Sequence, residues 1–116
     1  MEALVISGDM DIAIQISDAV IDTPDMEFVY ATQSFDEASI VFDDETVLRA
    51  IFIHVDIEDD TGSEAYAGIC DEYPELLEKV VFVCKEGSGL VECNLGPTSI
   101  FLPVTVKKVE EALEDI

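Results

Sequence analysis

Leu48-Arg49-Ala50-Ile51-Phe52-Ile53-His54-Val55-Asp56 is the stretch whose reading decides the fold. From Ala50 to Val55 apolar residues follow one another with a single interruption, His54. A strand wetted on one face would alternate apolar with polar. An unbroken run of β-branched and aromatic residues of this length is instead the mark of a strand buried on both faces. Working outward, the same mark recurs at Ala3–Ile6 and at Val80–Cys84. Weaker versions stand at Glu27–Thr32 and Ser99–Leu102, which makes five strands in all.

The segments between them read as helices. Ser34 can cap a helix that starts at Phe35, and Glu37 three residues on completes a capping box. Ser63–Tyr73 forms another, ended by Pro74. Val106, Val109, Leu113 and Ile116 recur at helical spacing, with charges on the opposite face, and predict an amphipathic helix. Ser88–Leu95, which contains Gly89 and lies between Gly87 and Gly96-Pro97, has room for about two turns at most, a shortened fourth helix. Asp9–Ile21 admits two readings. Ile12, Ile16 and Val20 have helical spacing, whereas Ile12, Ile14 and Ile16 alternate as a strand would and would make Val5–Ile16 a hairpin turning at Gly8-Asp9. The helix keeps the βαβα alternation intact, with Asp9 or Asp11 to begin it and Pro24 beyond its end. Such an alternation implies a parallel sheet covered on both faces, with right-handed crossovers.

The length of 116 residues suits one domain, residues 1–116, with one core. Nearly half the residues are apolar, so the chain folds despite its charge. That charge is −22, from 27 Asp and Glu against 5 Lys and Arg. Such a surface repels nucleic-acid phosphates and anionic membranes, so neither is an expected partner. Basic patches on other proteins, or cations, are. The acidity reads either as a general adaptation to high salt or as a dedicated binding face, and self-repulsion should make the fold more stable as salt rises. Cys70, Cys84 and Cys93 are odd in number, lack metal-ligand spacing, and suggest free thiols in a reducing compartment. Without a basic leader or a long apolar stretch, the expected location is cytoplasmic. No Gly-rich phosphate loop, nucleophile elbow or His-rich cluster is present.

In a sheet of this kind function gathers at the carboxyl ends of the strands. There Ile53-His54-Val55-Asp56-Ile57, the acidic loop with Thr61-Gly62, the run Pro74–Cys84, and Ile100-Phe101-Leu102-Pro103 with Val106–Leu113 together resemble the receiver domain of response regulators, CheY-like, over nearly the whole chain. The resemblance implies a flavodoxin-like three-layer sandwich with a five-stranded parallel sheet in the order 2-1-3-4-5. It implies Asp56 as phosphoacceptor, beside a Mg²⁺ held by an acidic pair after the first strand. Here Ser7 and Gly8 occupy that pair, and a one-residue shift brings in only Asp9, so the metal ligands reduce to Asp9 and Asp56. Cys84 replaces the hydroxyl residue that ends the fourth strand. Val104 and Thr105 replace the Lys-Pro after the fifth. A phosphoryl group on Asp56 would also stand near Asp9 and Glu58-Asp59-Asp60, with a like-charge cost of about 1–3 kcal/mol per contact.

These departures lead to a degenerate receiver, not an enzyme, that needs no cofactor and acts as a signalling protein-interaction module without the usual Mg²⁺-dependent phosphoswitch. The alternative is an atypical two-component phosphoacceptor, phosphorylated at Asp56 with Mg²⁺ bound. Either reading expects signalling proteins as partners, a histidine kinase or an output protein among them, and allows a homodimer. Lys107 and Lys108 on the last helix mark the expected contact face. His54 reads as a core histidine, Cys84 as a small buried hydrophobe, and Arg49 as a packing and solubility feature.

Overall fold

The computed structural model describes residues 1–44, 47–55, 60–85 and 99–116. Five strands, β1 (Glu2–Ile6), β2 (Phe28–Thr32), β3 (Ala50–Val55), β4 (Val80–Lys85) and β5 (Ser99–Leu102), form one sheet in the order β2-β1-β3-β4-β5. Every pairing is parallel. Strand β3 is buried at all six positions, as its unbroken apolar run requires. The architecture is the expected α/β sandwich.

Asp9–Ile21 resolves as a helix, α1 (Met10–Ile21), and no hairpin forms. Ile14, whose presence created the strand-like alternation, is half exposed, while Ile16 and Val20 are fully buried. Helix α2 (Phe35–Asp43) begins at the Ser34 cap: Glu37 N–H donates to Ser34 Oγ at 3.2 Å. The Glu37 carboxylate accepts from Gln33 N–H at 3.1 Å, one residue earlier than a standard capping box. Helix α3 (Thr61–Glu72) starts two residues before Ser63, and Pro74 opens a 3₁₀ helix (Pro74–Lys79) that the sequence pattern did not announce. The last helix, α4 (Val106–Asp115), buries Val109, Ala112 and Leu113. The expected short helix Ser88–Leu95 lies outside the described residues.

Alternate residues of the strands feed two cores. Ala3, Val5, Phe52, Val81 and Val83 pack against α1 and α4. Leu4, Ile6, Ile51, Ile53 and Phe82 pack on the side of α2 and α3. Among the described residues, no helix is long and apolar enough to cross a membrane.

Candidate functional site at the carboxyl ends of the strands

The parallel sheet brings the ends of β1 and β3 side by side. Ile6 is registered with Ile53, which carries on to place Ser7 beside His54. Both are buried, Ser7 completely and His54 to within 4 % exposure. Polar groups so placed need partners. Ser7 Oγ lies 3.1 Å from His54 Nδ1 and 3.0 Å from the Asp9 carbonyl, and accepts from Asp9 N–H at 3.2 Å. The hydroxyl has one proton. If it goes to the Asp9 carbonyl, His54 must donate through Nδ1; if it goes to Nδ1, the imidazole carries its proton on Nε2. The Asp9 main chain and the His54 ring are thus coupled through the Ser7 hydroxyl.

Asp9, the remaining acid near the end of β1, serves as the N-cap of α1. Its Oδ1 accepts from Asp11 N–H at 2.9 Å and from Ile12 N–H at 3.2 Å, satisfying two of the helix's otherwise unpaired donors. The positions where the resemblance places an acidic pair therefore hold a hydroxyl turned onto an imidazole and a glycine, with the next carboxylate committed to a helix end. This donor set does not match the usual Mg²⁺ pair. Asp56 itself lies outside the described residues, as do Ile57, Glu58 and Asp59. Among the described residues, no three His, Cys, Asp or Glu side chains gather as a metal cage.

Thr61-Gly62 brings α3 directly onto the end of β3. A Cβ on Gly62 would stand 2.2 Å from the His54 carbonyl oxygen, closer than real atoms approach, so only glycine allows this seating. The signal was present in the sequence as an isolated Thr-Gly after an acidic loop, but its cause required the fold.

Cys84, fully buried at the end of β4 beside Val55, is disulfide-bonded, which corrects the expectation of a free thiol there. Cys70 is free and exposed. Strand β5 ends at Leu102, and a cis bond joins Leu102 to Pro103. The residue before a proline at this strand end is accordingly Leu102. Val104, the position expected to replace the lysine, is buried. Neither supplies an ammonium. Lys108 Nζ reaches back to the Pro103 carbonyl at 2.9 Å, while Lys107 is exposed.

No family model and no curated protein matches the sequence. Solved structures do. A two-component response regulator from Cytophaga hutchinsonii superposes with a TM-score of 0.75 at 12% identity, over 97% of this chain and 93% of that one. The BeF3-activated DrrB receiver domain gives 0.61 at 15% identity, over 97% of each chain. The Mn²⁺-bound form of the response regulator Rcp1 gives 0.60 at 12% identity, over 97% of this chain and 88% of that one. Likeness at these identities defines the fold: the chain has the CheY-like receiver-domain fold.

Proposed function

We propose that this protein is a receiver-type signalling module that works through contacts with other proteins, and that its strand-end site operates without the usual Mg²⁺-dependent phosphoswitch. The observation that carries the reading is the use made of the polar groups after β1. Asp9 caps α1, and Ser7 is buried against His54, where the resemblance calls for two acids facing a metal. Both cap bonds fall on Oδ1, so a metal ligated through that oxygen would displace the helix cap, at about 0.5–2 kcal/mol.

A second reading keeps Asp56 as a phosphoacceptor, with Asp9 and a loop carboxylate in a rebuilt site. It is favoured by the comparisons, since one similar structure is BeF3-activated and another holds Mn²⁺. Partners under either reading are a histidine kinase or an output protein.

The test is labelling of the whole protein by acetyl phosphate with and without Mg²⁺, with Asp56→Asn as control. The first reading expects no Mg²⁺-dependent incorporation and no saturable amide shifts at Ser7, Asp9 or His54 on titration with Mg²⁺ and BeF3. Incorporation that requires both Mg²⁺ and Asp56 would establish the second.

A further inference from the structure

Beyond this reading, we infer that the free edge of β2 is a docking site for an extended, basic segment of another protein, which would add a sixth strand to the sheet. Among the described residues, strand β2 is hydrogen-bonded to β1 alone. Ser7 N–H donates to the Thr32 carbonyl, and in a parallel ladder alternate residues turn their backbone groups the same way. Tyr30 and Thr32 therefore spend their groups on β1, while at the strand's start Glu27 N–H donates to the Met1 carbonyl at 2.7 Å; Val29 and Ala31 turn theirs to the open edge.

Edges of this kind are normally blunted by a charge, a proline or a bulge. Phe28-Val29-Tyr30-Ala31-Thr32 contains neither a charge nor a proline, and its register with β1 runs unbroken over five residues. The opposite edge strand, β5, is followed at once by Pro103. Beside β2, Ser17, Asp18, Ile21, Phe28 and Val29 line a cavity of about 320 Å³, enough for an apolar side chain of an added strand. Phe28 and Ile21 at its rim are 50 % and 40 % exposed.

Charge names the occupant. Residues 1–48 hold twelve of the acids and none of the Lys, Arg or His. Asp18 lines the same cavity, Asp22, Asp25 and Glu27 lead into β2 along the chain, and Asp36 and Glu37 follow its end. A second copy would bring these carboxylates against one another, whereas a strand with apolar residues alternating with Lys or Arg satisfies edge, cavity and field together.

The experiment titrates the whole protein with the blocked peptide Lys-Val-Lys-Phe-Lys-Val-Lys, followed by amide NMR. The expected result is saturable shifts centred on Phe28–Thr32, slowed exchange of the Val29 and Ala31 amides, and affinity falling about tenfold between about 0.05 and about 0.5 M KCl. Ala31→Pro removes an outward N–H while sparing the bonds to β1, and should weaken binding about tenfold with the fold unchanged. Phe28→Asp should do the same and stands in if the proline variant does not fold. Absence of binding, or binding that leaves the Val29 and Ala31 amides unprotected and is indifferent to both variants, would overturn the proposal. So would sedimentation showing that the edge is filled by a second copy.

Discussion

At the amino ends of the strands, scarce cations are spent on main-chain carbonyls. Arg49 donates to the Leu113 carbonyl near the end of α4, Lys79 Nζ to the Leu48 carbonyl at 2.8 Å, and the Met1 amino group to the Asp25 carbonyl at 2.9 Å. At the carboxyl ends, closure depends on fit and on anions. Gly62 seats α3 against His54, Ser7 and His54 satisfy each other, and Asp9 caps α1. Lys108 Nζ, on the Pro103 carbonyl, brings a cation to that end too. A chain with 27 acids and 5 bases thus directs several of its bases to carbonyls, and turns acids such as Asp9 and Glu37 into helix caps. Its charge is a property of the surface, and the two ends fail in different ways.

Gly62→Ala should cause the largest effect, because a Cβ cannot be accommodated without moving α3 off β3. A loss of about 3 kcal/mol or more in chemical denaturation is expected, with large amide shifts at Ser7 and His54. A loss below about 1 kcal/mol would mean that α3 is not tightly seated. Arg49→Met keeps the aliphatic stem and removes the charged donor at the other end. It should cost about 1.5–3 kcal/mol and loosen the last turn of α4, read by amide exchange there. Asp9→Ala should cost about 1 kcal/mol through the lost cap and leave Mg²⁺ affinity unchanged. A large fall in Mg²⁺ affinity would turn the carboxyl end back into a metal site.

The smallest effect concerns Tyr73, which donates to the Asp43 carboxylate between α3 and α2. That hydrogen bond, with burial and the nearby acids Asp43, Glu72 and Glu75, raises the tyrosine to about 12 from an ordinary 10.0. A raised folded value means the contribution is fully present below pH 10 and lost as pH rises toward 12. Alkaline titration of tyrosine absorbance should show an ionisation near pH 12 that is absent in Tyr73→Phe.

The strands and their order were legible because burial on both faces writes itself as unbroken apolar runs, as in Ala50–Val55. The caps at Asp9 and Ser34 were legible because they are local. Ile14 made α1 ambiguous for a physical reason: it is an apolar residue on a wet face, and periodicity cannot tell that from a strand. The Ser7–His54 pair was out of reach, since its members are 47 residues apart and meet only through the β1–β3 register. Gly62 was visible, but not the carbonyl that excludes its side chain. The bond made by Cys84 left no mark in the spacing of three cysteines.

Strand β3 is flanked on both edges by strands and on both faces by core, with all six of its residues buried. Its amide protons have no local path to heavy water, because they bond alternately to the two flanking strands, and freeing them means parting β3 from β1 on one edge or from β4 on the other. Deuterium should therefore enter Phe52 and Ile53 only through global unfolding. Their exchange rates become a direct gauge of the stability of the whole molecule.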